Sequence, residues 1–208
     1  MIDYTVLYKS ELSVNADWPS EIRWDTFISG FTVAERVKRV FDKANAGSKH
    51  WLVFPEYRFA KEQYPPGSFA SESRHEAEYL KSFWDTLNGD VSKGTLGIDI
   101  TGFIRPYLIF LLRWLAEQGV RRFDAIYSEP DIYGKREETK FSESVTEVRQ
   151  VAGFEGVHDH DTSNDYLIIG AGYDDQLIAH VAGSGPTRLR SSSCKKSRSI
   201  GRIRPMTR

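Results

Sequence analysis

Residues 25–54 read DTFISGFTVAERVKRVFDKANAGSKHWLVF, and this stretch decides the fold. Asp25-Thr26-Phe27-Ile28-Ser29 is a short β-prone run, broken by Gly30-Phe31-Thr32. Beyond the break Val33, Val37, Val40, Phe41 and Ala44 recur at helical spacing, with Glu35, Arg36, Lys38, Arg39 and Lys43 between them. Thr32 with Glu35 three residues later predicts a capping box, and Gly47 predicts the helix end. His50-Trp51-Leu52-Val53-Phe54 is a second strand, stopped by Pro55. Strand, helix and strand within about 30 residues is the size of a βαβ unit, whose strands run parallel.

The alternation continues downstream. Thr95 to Ile100 reads as a strand, Thr101-Gly102 breaks it, and Ile104 to Gln118 reads as a helix with Pro106 in its first turn and Gly119 just past its end. That helix is apolar nearly all round, which predicts burial on more than one side. Phe123 to Tyr127 follows as a strand ending at Ser128-Glu129-Pro130, and Asp165 to Gly170 as another, leading through Gly172 into a short helix over 174–182. Near-continuous apolar strands alternating with helices predict an α/β fold: an open, mostly parallel, Rossmann-like sheet of about five strands with helices on both faces. Three stretches break the pattern. Residues 1–24 offer an extra edge strand at Tyr4 to Tyr8; residues 58–74 read as a polar insertion before a helix from about Ser73 to Leu87; residues 131–164 are charged, with a strand around Val145 to Val151.

Length and charge set the organisation. A chain of 208 residues makes one domain, or one domain with a tail. Of 28 Lys and Arg, eight lie in residues 184–208 with no acid among them, so residues 1–183 carry 20 basic against 29 acidic side chains, a net of −9. The expected division is a single α/β domain over 1–183 and a disordered, Arg/Ser-rich tail over 184–208, which has no periodic apolar face to bury. Read functionally, the tail is a basic arm for nucleic acid or an anionic membrane. Its abrupt onset favours the plainer reading, a change of reading frame near Ala182 that leaves the domain truncated. The one cysteine, Cys194, lies in the tail, so no intrachain disulfide and no cysteine nucleophile in the domain is expected. The N-terminus has no secretory pattern, and the longest apolar run, Phe103 to Ala116, is interrupted by Arg105, Pro106 and Arg113. A soluble cytoplasmic protein without a membrane partner is the expectation.

In an open parallel sheet, ligands bind at the carboxyl ends of the strands, where loops and helix N-termini converge. The expected ligand-binding residues are Gly30, Thr32, Thr101, Gly102, Gly172 and Tyr173. Such turns also carry glycine and hydroxyl residues merely to turn and cap. Gly170-Ala171-Gly172 lacks the third glycine of a dinucleotide fingerprint, and no Walker lysine, nucleophile elbow or His-Glu-x-x-His motif is present. Glu56, Asp99 and Glu129 follow three different strands and are the candidate catalytic acids. Brought together, they would repel one another or hold a cation, as a magnesium-dependent hydrolase requires. Separately, each reads as an ordinary cap or ion-pair partner. His158-Asp159-His160-Asp161 has metal-ligand chemistry but sits in a polar loop, so no metal site is assigned. No motif identifies a cofactor.

Two segments resemble known families. Asp25-Thr26-Phe27-Ile28-Ser29, followed by a helix bearing Glu35, resembles the opening strand of a TIR domain, whose βα units also build a flavodoxin-like parallel sheet. Leu96 to Ile100 with Thr101-Gly102, the apolar helix, then Ala125 to Glu129, is similar in pattern to the core of Rossmann-like sensor domains of the CARF kind. Those bind cyclic or linear nucleotides at strand ends in phage-defence proteins. The resemblances imply a nucleotide-like ligand. The expected function is a sensing or regulatory module for such a molecule, and the alternative is a metal-assisted hydrolase of a nucleotide-related substrate.

Overall fold

In a computed structural model of the protein, residues 11–13, 16–87, 93–130 and 149–156 are described, all within one compact unit. Among the described residues, five strands and three α-helices follow in the order β1 (Trp24–Gly30), α1 (Glu35–Lys43), β2 (Ala46–Val53), β3 (Phe69–Ala70), α2 (Glu76–Trp84), β4 (Leu96–Asp99), α3 (Arg105–Glu117) and β5 (Asp124–Ile126). The strands form one sheet in the order β3-β2-β1-β4-β5, and every pairing is parallel. This is the open Rossmann-like α/β sheet that the alternation predicts.

The period of two along each strand divides the core. Ile28, Leu52, Leu96 and Ile98 face α2 and α3, packing with Tyr79, Leu80, Phe83, Tyr107, Leu108 and Leu111. Phe27, Trp51 and Val53 alternate with them and pack with α1 through Val37, Val40 and Ala44. Helices therefore cover both faces. Phe27, Ile28, Leu52 and Ile98 are wholly buried, each contributing about 1.5–3 kcal/mol of apolar burial. Gly119, just past α3, adopts φ +76°, the left-handed conformation expected of a residue closing a helix.

Several local expectations are corrected. Thr32 and Glu35 do not form a capping box: α1 begins at Glu35 with Ala34 as N-cap and no side-chain cap. Thr32 Oγ1 instead accepts the Ala34 N–H at 3.2 Å, because the loop off β1 continues two residues beyond Thr32 before the helix starts. Gly47 does not end α1, which closes at Ala44; the glycine lies in β2. The stretch 58–74 is not a mere insertion. Its Phe69 and Ala70 pair with Leu52 and Val53 as the edge strand β3, too short to show an alternation. Helix α2 starts at Glu76 rather than Ser73. Residues 149–151 form no strand. The expected strands at Tyr4–Tyr8 and Asp165–Gly170, the helix over 174–182, the His158–Asp161 cluster and the tail lie outside the described residues.

Candidate functional site

Strand order reverses between β1 and β4. From β1 the chain leaves toward α1 on one face; from β4 it leaves toward α3 on the other. Diverging loops at such a switch point open the crevice where ligands of this architecture bind. At its floor the two loops touch backbone to backbone. A Cβ placed on Gly30 would lie 2.5 Å from the Gly102 carbonyl oxygen, and one on Gly102 would press on the Gly30 oxygen and the Thr32 γ-methyl. Gly30, Thr32 and Gly102 are thus brought together, and the glycines have a packing reason to be glycine.

A polar chain crosses the sheet beside this contact. Ser29 and Asp99 are register partners on β1 and β4, both wholly buried. Ser29 Oγ donates to Asp99 Oδ2 at 3.0 Å, and the Thr101 N–H donates to Asp99 Oδ1 at 3.0 Å. Thr101 Oγ1 accepts the Ser128 N–H at 2.9 Å and lies 3.1 Å from Ser128 Oγ. The network ties the ends of β1, β4 and β5 together. Burial pushes the Asp99 carboxyl above the ordinary carboxylate value, against the hydrogen bonds from Thr101 and Ser29 and the positive charge of Arg36.

The other acids stand elsewhere. Glu56 follows β2, where its Oε1 accepts the Tyr107 hydroxyl at 3.0 Å while Oε2 is buried with no partner. Glu129, beyond β5, is exposed. Among the described residues no three His, Cys, Asp or Glu side chains are grouped to hold a metal ion. The three candidate acids occupy three separate environments. Gly172 and Tyr173 lie outside the described residues.

Residues that the sequence reading did not select complete the site. The Tyr57 hydroxyl donates to the Gly102 oxygen at 3.1 Å, and its ring stacks on Phe59 with centroids 5.5 Å apart. Burial raises the Tyr57 pKa from its ordinary value, so the hydroxyl is a neutral donor. Val33, Tyr57 and Tyr127 are 64%, 37% and 52% exposed, which places apolar surface on three of the loops at the carboxyl ends of the strands. Arg36, in the first turn of α1, has a buried Nε without an acceptor. Ser29, Asp99 and Tyr57 all fall at strand ends that the periodicity marks, and Arg36, with Arg58 and Arg105, is one of three arginines the sequence offers to a phosphate.

Away from the crevice, Glu76 is wholly buried at the start of α2. Its Oε1 accepts the Ala152 N–H at 2.6 Å and its Oε2 pairs with Arg149 at 2.6 Å, fastening residues 149–152 to the helix. Among the described residues no helix is long and apolar enough to cross a membrane. No family model, curated protein or solved structure matches this chain.

Proposed function

We propose that the protein is a ligand-sensing or regulatory module that binds a nucleotide-like small molecule at the carboxyl ends of its strands. The observation that carries this reading is the β1/β4 switch point, where Gly30, Thr32, Thr101 and Gly102 converge over the Ser29–Asp99–Thr101–Ser128 chain. Hydroxyls and main-chain groups there offer hydrogen bonds, and Tyr57 and Tyr127 offer flat apolar surface, which together suit a molecule with polar and aromatic parts. The rival reading, a metal-assisted hydrolase, needs Glu56, Asp99 and Glu129 to converge. Asp99 is consumed by internal hydrogen bonds, Glu56 is held by Tyr107 and Glu129 points to solvent, so that reading gains no support.

The test is thermal unfolding of the full chain with nucleoside monophosphates, triphosphates and cyclic mono- and dinucleotides, each with and without magnesium. A ligand that binds only the folded state raises the transition in proportion to the logarithm of its concentration. Stabilisation without turnover is expected. Magnesium-dependent product formation would move the protein to the hydrolase class, and silence from every compound would sink both readings.

A further inference from the structure

Arg36 stands apart from the arginines that have partners. Arg39 pairs with Glu35 at 3.2 Å, Arg113 with Glu117 at 2.9 Å and Arg149 with Glu76 at 2.6 Å. Arg36 is half-buried, its Nε is shielded from solvent, and no described acceptor reaches that atom. A buried donor left unsatisfied is costly, and a guanidinium more so, because it cannot shed its charge. Such groups in folded proteins commonly mark the place of an ion or ligand. The position of this one is informative. It sits in the first turn of α1, immediately after β1, so it lies at the carboxyl edge of the sheet beside the β1/β4 switch point. Its charge acts on Asp99, whose oxygens accept from Ser29 and Thr101, yet among the described residues the two form no ion pair. The first turn of α1 also lacks a side-chain cap, leaving its positive end without a protein acceptor from the capping position.

We infer that Arg36 is an anion-binding residue of the crevice, and that the ligand carries a phosphate group which its guanidinium receives. This rests on the strand-end reading above and narrows it from a nucleotide-like molecule to one whose phosphate contributes directly to affinity. Planar guanidinium and phosphate oxygens match in a two-bond fork, which a lysine ammonium cannot reproduce. Asp99 is not an obstacle. Its oxygens accept from Ser29 and Thr101, and the positive charge of Arg36 offsets its own.

The experiment compares four nucleosides, their 5′-monophosphates and inorganic phosphate on the full chain. Binding is read by thermal shift and calorimetry for wild type, Arg36→Gln, Arg36→Lys and the exposed control Arg39→Gln. In wild type a monophosphate should bind more tightly than its nucleoside. Arg36→Gln should erase that difference, weakening the monophosphate about ten-fold or more while leaving the nucleoside unchanged. Arg36→Lys should recover only part of the loss, and Arg39→Gln should match wild type. Because Arg36 forms no ion pair among the described residues, Arg36→Gln should melt at or above the wild-type temperature without ligand; a marked fall would assign the residue to structure and overturn the inference. Nucleosides that bind as well as monophosphates would overturn it while leaving the strand-end reading intact. Should Arg36→Gln fail to fold, Arg36→Lys with wild-type phosphate affinity would be equally fatal. No response from any compound would overturn the inference and the strand-end reading together.

Discussion

Gly30 and Gly102 meet backbone to backbone across the boundary between β1 and β4, each filling the space that the other's Cβ would need. The crevice floor is therefore built from main chain, and its depth depends on two residues 72 positions apart having no side chain. The Tyr57 hydroxyl caps the contact by donating to the Gly102 oxygen.

Substituting Gly102 with alanine should cost about 1–3 kcal/mol, because backbone rather than a flexible side chain must move. Gly119→Ala is the comparison. Its φ of +76° strains an alanine, but nothing lies within 4 Å, so it should cost about 1 kcal/mol by backbone strain alone. Urea unfolding measures both. A Gly102→Ala protein as stable as wild type would mean the loops separate readily.

Asp99 predicts an unusual pH dependence. Its folded-state pKa is raised by burial from an ordinary 3.8. For an acid shifted upward, stability is fully present below the unfolded value and is lost as pH rises through the folded value. Asp99→Asn keeps the shape and removes the ionisation. The variant should therefore gain on wild type as pH rises from about 4 toward 7, with the gain read as the difference between the two urea midpoints. A constant difference across that range would refute the assignment.

Glu76 should behave with the opposite sign. Burial pushes its carboxyl up, but the bonds from Ala152 and Arg149 outweigh this and the net shift is downward. Its contribution is then present above the ordinary value of 4.5 and lost as pH falls through the lower folded value. Glu76→Ala leaves the Ala152 N–H without its acceptor and takes one partner from Arg149, which keeps the Arg74 and Gln150 oxygens, and should cost about 1–3 kcal/mol at neutral pH. Protease cleavage within 149–156 should become faster in the variant, and unchanged cleavage would argue against the fastening role.

Thr101→Val preserves size while removing the oxygen that accepts the Ser128 N–H. A buried N–H left unmet costs about 1–3 kcal/mol. Hydrogen exchange at Ser128 should accelerate, and any nucleotide that stabilises wild type should stabilise the variant less. Full retention of ligand response would remove Thr101 from the site.

By itself the sequence determined that the strands run parallel and where most of them end. Both follow from local periodicity: β1, β2, β4 and β5 contain short apolar stretches that alternate with helical patterns, and Ser29 and Asp99 are polar residues near the ends of two of them. Only the tertiary structure decided the rest. Phe69 and Ala70 are a strand because β2 offers them an unpaired edge, a condition absent from their own two residues. Glu56, Asp99 and Glu129 share a position at strand ends, yet one bonds Tyr107, one bonds Ser29 across the sheet and one is exposed. Glu76 meets Ala152 across 76 residues, and the buried Nε of Arg36 meets no acceptor among the described residues. Periodicity records which residues leave water. Which buried polar group meets which depends on strand order and register, and those are settled only when segments far apart in the chain pack together.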